Sequence, residues 1–216
     1  MSKILISGYY GFANAGDEAM LTAIIESLRQ VEKNVELTVL SGNPEDTAAK
    51  HQVCSVYRFN PLGIIRAMKD SELIISGGGS LLQDVTSKRS LLYYLSIIGL
   101  GKFFGKKVML FAQGIGPIRA KWARKLTSLV CNEADLITVR DSESAAELIE
   151  MGVKPEKITV TADSVLSLNP VTKECGQYLL QEAGVDLTKP VIGISVRPWS
   201  GDSQCFQVLA EAASKL

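Results

Sequence analysis

Short apolar runs alternate along this chain with longer stretches in which apolar residues recur every three to four positions. The run Ile4-Leu5-Ile6 gives way to a turn, and then Met20, Leu21, Ile24, Ile25 and Leu28 fall on one helical face. The same alternation predicts strands over 3–7, 35–40, 53–56, 72–76, 107–112, 135–140 and 157–162. Helices are predicted over 17–31, 45–50, 61–69, 88–104, 119–133 and 142–151. Strands separated by helices specify a parallel sheet covered on both faces, so the expected fold is α/β, a Rossmann-like parallel sheet. Beyond Asn169-Pro170 come a helical stretch over 173–183, a strand over VIGISVRPW (191–199) and a helix from near Ser203. One strand and one helix cannot bury a sheet by themselves. The expected organisation is therefore a Rossmann-like domain over 1–168, a linker over 169–190, and the start of a second Rossmann-like domain over 191–216, cut short in this chain.

Polar and small residues gather where the predicted strands end. The first ends at Gly8-Tyr9-Tyr10-Gly11, leading into Asn14, Gly16 and the acidic pair Asp17-Glu18. Others end at Gly77-Gly78-Gly79-Ser80, at Gln113-Gly114-Ile115-Gly116, at Arg140-Asp141-Ser142 and at Asp163-Ser164. In an open parallel sheet, ligands collect outside the carboxyl ends of the strands. A helix N-terminus there favours anions, because its first N–H groups are unpaired and its dipole is positive. The glycine spacing is neither GxGxxG nor a P-loop, so the place of binding is indicated and the ligand is not.

Each candidate has a plainer reading beside the functional one. Arg140 and Arg197 suit carboxylate or phosphate through their planar donor forks, and equally suit ion pairs, Arg140 with Asp141 or Asp163. Asp17 serves a site or the first turn of its helix. Asp84, after Gln83, binds sugar hydroxyls or caps a helix beginning near Thr86. Asp163 acts as acid or base, or braces its loop, and bracing is the stronger reading for Asp141. Three successive glycines, 77–79, favour close approach of a ligand over packing alone, whereas Gly114 and Gly116 fit a tight turn as well. Gln113 reaches into the cleft or holds its loop. Tyr9, Tyr10 and Phe12 stack on a sugar ring or lie half-buried. Tyr93-Tyr94 reads as core.

Composition narrows the classes. The 216 residues are 46% hydrophobic and 21% charged, with formal net charge zero. That balance disfavours a nucleic-acid protein relying on bulk electrostatics. Four scattered cysteines without a CxxC pair suggest reduced thiols and a cytoplasmic location, with no zinc site and no metal. The apolar start is too short for a signal peptide, and Leu91 to Phe104, broken by Gly99, Gly101 and Lys102, reads as a buried helix.

Five blocks, SGYYGFANAGDEA, ISGGGSLLQD, AQGIGP, TVRDSES and GISVRPW, resemble in order and spacing the polysaccharide pyruvyl transferase family. The resemblance implies two Rossmann-like domains in a GT-B-like arrangement and transfer of a pyruvyl group from phosphoenolpyruvate to a sugar as a cyclic ketal, without a cofactor. For its cell-wall members it implies an N-acetylmannosamine acceptor on a lipid-linked precursor at the inner membrane face, the ketal later anchoring surface-layer proteins. Ketal formation calls for Arg140, Asp17 and Asp163 as catalytic candidates. Substrate-binding candidates are Gly8, Tyr10, Gly11, Asn14, Gly16, Gly77, Gly78, Gly79, Gln83, Asp84, Gln113, Gly114 and Arg197. His51, the lone histidine, falls in a segment that matches the family poorly and receives no role. Two other classes remain open, a GT-B glycosyltransferase using a nucleotide sugar and a sugar-binding protein without turnover.

Overall fold

Seven parallel strands form a single sheet in the order β3-β2-β1-β4-β5-β6-β7. A computed structural model describes residues 2–85, 87–195 and 203–214. In chain order the elements are β1 (Lys3–Tyr10), α1 (Ala15–Val31), β2 (Glu36–Ser41), α2 (Pro44–His51), β3 (Cys54–Tyr57) and α3 (Pro61–Asp70). There follow β4 (Leu73–Gly77), α4 (Lys88–Phe103), β5 (Lys107–Gln113), α5 (Lys121–Glu133), β6 (Leu136–Val139), α6 (Ser142–Glu150) and β7 (Ile158–Val160). The last two helices are α7 (Lys173–Glu182) and α8 (Ser203–Ala213). The chain divides into two compact units, Met1–Asn169 and Pro170–Leu216. The sheet belongs entirely to the first, and α7 and α8 to the second.

The period-two alternation of strand residues sorts the core into two layers. Ile4, Ile6, Val39 and Ile75 face Leu21, Ile24 and Ile25 of α1. Leu5, Leu40, Ile74, Val108 and Leu110 face the other way, onto Met68 of α3 and Leu91, Tyr94 and Ile98 of α4. The chain winds outward from β1 to β3, then returns to lay β4 on the other side of β1. The gap between the ends of β1 and β4 is thus the point where strand order reverses, and it opens at the carboxyl edge of the sheet.

Two local devices shape that edge. Asn14 caps α1, its Oδ1 accepting from the N–H groups of Gly16 and Asp17, so the helix starts two residues before the predicted 17. In β5 a bulge lies between Leu110 and Gln113, with Ala112 at φ +48° and its N–H donating to the Thr138 hydroxyl at 2.8 Å. The bulge resets Gln113 so that its Nε2 donates to Ser76 O at 3.1 Å. One expected strand is not found. Residues 191–195, the described part of 191–199, are exposed and carry no strand. Among the described residues Pro170–Leu216 contains no second strand to complete a ladder with them, and an unpaired apolar run has no reason to stay extended.

Candidate functional site

Almost every described candidate lies along the carboxyl edge of β1, β4, β5 and β6. At the reversal point the Tyr10 ring turns back into the protein, 1% exposed, and its hydroxyl donates to Gly77 O at 3.1 Å. Gly8 lies against that ring, and a Cβ on Gly77 would meet the Tyr10 hydroxyl and Ile24 at 2.8 Å. Gly78 and Gly79 take φ of +51° and +72° against Met20. The three glycines therefore have packing and dihedral causes within the protein. Tyr10, Ile24 and Met20 are the groups that lie against these glycines in the structure.

The first turn of α1 meets that glycine loop. A Cβ on Gly79 would lie 3.2 Å from an Asp17 carboxylate oxygen, which places Asp17 at the reversal point. Glu18 faces the other way, accepting from the Gly11 N–H at 2.8 Å. Its second oxygen lies 3.8 Å from His51 Nε2, and burial lowers the His51 pKa against the pull of Glu18. The lone histidine thus lies beside Glu18, which itself holds the β1–α1 loop through the Gly11 N–H.

Arg140, at the end of β6, gathers a second group. Its Nε pairs with Asp141 at 3.3 Å, one Nη with Asp163 at 3.2 Å, and the other Nη with the Ser80 hydroxyl at 3.3 Å. The guanidinium lies so close over Gly114 that a Cβ there would sit 2.6 Å from Nε. Asp141 also caps α6 through the Ser144 N–H at 2.7 Å; Ser144, and then Arg140, hold its carboxyl below the usual aspartate range. Gln113 is fully buried, its Oε1 without a hydrogen-bond partner. Gly114 N–H donates to Gly79 O at 2.9 Å, joining the two glycine loops.

Asp84 does not cap the helix that follows it. Ser87 caps α4, while the Asp84 carboxylate accepts from the Arg119 and Ala120 N–H groups at 3.0 Å and so holds the start of α5 from another loop. Those two N–H groups, Ala120 first, keep its carboxyl below the usual range. Gln83 packs its Cβ against Gly116. Arg197 and the end of the predicted strand lie outside the described residues. Among the described residues, no three of His, Cys, Asp and Glu converge as a metal site.

Arg58 went unnoticed in the sequence. It follows β3 and is 5% exposed, with Tyr9, Phe12, Phe59, Tyr93 and Tyr94 all within 6 Å of its guanidinium carbon. Its local signal is slight, an arginine between Tyr57 and Phe59, because the other rings arrive from β1, the loop after it and α4.

A model of the polysaccharide pyruvyl transferase family matches residues 14–199. No curated protein matches the chain significantly in sequence. Among solved structures, Anabaena HepE in complex with UDP and glucose is similar with a TM-score of 0.62 and 15% identity, over 98% of this chain and 58% of that one. A glycosyltransferase from Rickettsia africae gives a TM-score of 0.61 at 14% identity, over 99% of this chain and 57% of that one. The chain thus spans well under two thirds of either relative, and at such identity the likeness speaks for a Rossmann-like, GT-B-type fold alone. The family model takes in α1 with its cap, both glycine loops and the Arg140 cluster, and the chain belongs to the polysaccharide pyruvyl transferase family.

Proposed function

We propose that this protein transfers a pyruvyl group from phosphoenolpyruvate to two hydroxyls of a saccharide, forming a cyclic ketal. The observation that carries this reading is the family match across residues 14–199, which spans the loops at the carboxyl edge of the sheet. In this chemistry carbon 3 of the enol phosphate is protonated, carbon 2 gains positive character and is attacked by two sugar hydroxyls, and phosphate leaves. The two hydroxyl protons balance the one gained by carbon 3 and the one taken by phosphate. The reaction needs cationic or N–H donors for the carboxylate and phosphate, an acid for carbon 3 and a base for the hydroxyls. Asp17 and Asp163 are the proposed acid and base candidates, each on a loop at that edge. Arg140 is proposed to hold an anionic group of the donor, exchanging Asp141 or Asp163 for it. We further propose an N-acetylmannosamine unit of a lipid-linked cell-wall precursor as acceptor, reached at the inner membrane face, with the ketal later used to anchor surface-layer proteins. Among the described residues no helix is long and apolar enough to cross a membrane, so the contact proposed is peripheral.

One observation favours a second reading. HepE, similar in fold, was solved with UDP and glucose, so a nucleotide-sugar glycosyltransferase is the alternative. Incubation with phosphoenolpyruvate and a lipid-linked N-acetylmannosamine disaccharide, read by mass spectrometry, separates the two. A product heavier by one pyruvyl ketal, with phosphate released, is expected. No product, together with a melting shift from UDP and none from phosphoenolpyruvate, moves the protein to the glycosyltransferase reading.

A further inference from the structure

Arg58 is a buried cation with no carboxylate paired to it among the described residues. One Nη donates to the Tyr94 hydroxyl at 3.3 Å, while Nε and the other Nη, both buried, have no acceptor. Aromatic faces attract a guanidinium, and Tyr93 comes nearest, at 4.5 Å. Rings do not, however, accept the in-plane N–H groups as an oxygen does, and a buried unpaired charge is costly to keep. Arg140 makes the contrast. Its side chain is 34% exposed and already lies between two carboxylates, so an anion binding there must displace one of them.

A second set of groups points to the same place. The hydroxyls of Ser7, Ser76 and Tyr93 are buried and also lack partners. Ser7 and Ser76 are neighbours in register on β1 and β4, on the face shared with Leu5 and Ile74 against which α4 packs. The Tyr93 hydroxyl lies near both the Arg58 guanidinium and the Ser7 hydroxyl, although neither approach has hydrogen-bond geometry. Unused donors therefore converge beside the point where strand order reverses, where open parallel sheets bind their ligands. A guanidinium can only donate, and hydroxyls can turn to donate with it, so the fitting ligand is rich in acceptors and negatively charged. Water would satisfy the hydrogens and leave the charge.

We propose that Arg58, with Tyr93, Ser7 and Ser76, binds an oxyanion, the carboxylate or phosphate group of a substrate. Tyr9 and Phe12, whose rings stack at 4.3 Å beside the cation, remain 40% and 42% exposed and form the solvent side of the ring cage. Identifying the oxyanion as part of phosphoenolpyruvate rests on the proposed function; the anion site does not.

Thermal melting with sodium phosphate, phosphoenolpyruvate or UDP, against sodium chloride at matched ionic strength, tests the site in the wild type, Arg58→Met and Tyr93→Phe. A saturable rise of the wild-type midpoint with phosphate or phosphoenolpyruvate is expected. In Arg58→Met the apparent affinity should weaken at least tenfold while the ligand-free midpoint stays or rises, since methionine fills the ring cage without a stranded charge. A wild type indifferent to all three probes overturns the site. So does an Arg58→Met variant that melts lower without ligand and keeps its phosphate response, because Arg58 is then only a pivot for the rings. Should that variant not fold, Tyr93→Phe decides, with several-fold weaker phosphate binding expected and unchanged affinity overturning the proposal. A phosphate response lost in Arg58→Met, in a protein that makes no ketal, sinks pyruvyl transfer and upholds the anion site. A UDP response lost in the same variant upholds the site with a diphosphate as its ligand.

Discussion

Arg140 owes its position to a missing methyl group. Its guanidinium occupies the space that a side chain at Gly114 would need, and Asp141, Asp163 and Ser80 fix its direction. Gly114→Ala should therefore act on Arg140 at a distance of one residue's width. Turnover is expected to fall about 10- to 100-fold, the usual cost of misplacing a positioned group, and the melting midpoint should change little. Arg140→Ala should lose at least as much turnover and fold normally. Steady-state kinetics on the two variants settle it: a Gly114→Ala enzyme at wild-type rate would free Arg140 from any role that depends on its present geometry. Both plain readings of Arg140 were legible in the sequence, because Asp141 is adjacent and Asp163 ends the neighbouring predicted strand. The reasons for the glycines were not. What fills the space beside Gly77, Gly78 and Gly114 is Tyr10, Met20 and Arg140, brought from other strands and helices. Arg58 was hidden in the same way, since four of its five rings lie elsewhere in the sequence or across the sheet.

At the scale of elements, helix and strand positions were readable to within a few residues because periodicity is local, while the contacts that tie elements together were not. Asp84 is the clearest case. Sequence offers it as a cap for the helix just ahead, but it holds α5, whose own cap residue, Ala120, has no side chain able to do so. Asp84→Ala should destabilise the protein by about 1 kcal/mol, the ordinary worth of a cap, measurable by urea denaturation. Asp135 ties α4 to β5 and β6 at the opposite edge of the sheet, binding Lys102 at 2.7 Å, Lys107 at 3.1 Å and the Val108 N–H at 2.9 Å. Partial burial pushes its pKa up, but Lys102, Val108 and Lys107 together bring it well below the ordinary aspartate value. A depressed carboxylate contributes stability above the unfolded pKa, about 3.9, that is lost as pH falls through the folded value. Asp135→Asn should thus cost about 1–2 kcal/mol at pH 7, with the wild-type and variant urea midpoints converging as pH drops below about 4. A gap that stays constant down to pH 2 would show that the carboxylate charge is not what Asp135 contributes. Ligand binding should be untouched, because this tie lies across the sheet from the glycine loops.

For the whole molecule, the question is what the first unit can do alone. Met1–Asn169 contains all seven strands, both apolar layers, Arg58 with its rings, and the Arg140 cluster. No residue of α7 is buried, so the described part of the second unit withdraws little apolar surface from water. A chain ending at Asn169 should therefore unfold in one cooperative transition near the midpoint of the full chain, and it should keep the response to phosphate assigned to Arg58. Turnover is another matter. The family match runs on to residue 199, thirty residues past the end of the sheet-bearing unit, and takes in Arg197. If that stretch contributes to the reaction, the truncated protein should bind the donor and form no ketal. Melting curves with phosphoenolpyruvate, set beside product analysis by mass spectrometry, separate the two abilities. Ketal formation by residues 1–169 alone would confine the chemistry to the glycine edge and remove Arg197 from it. Loss of the phosphate response on truncation, in a chain that still folds, would mean that the anion site draws on residues beyond 169, against the placement of Arg58 and its hydroxyls wholly within the first unit.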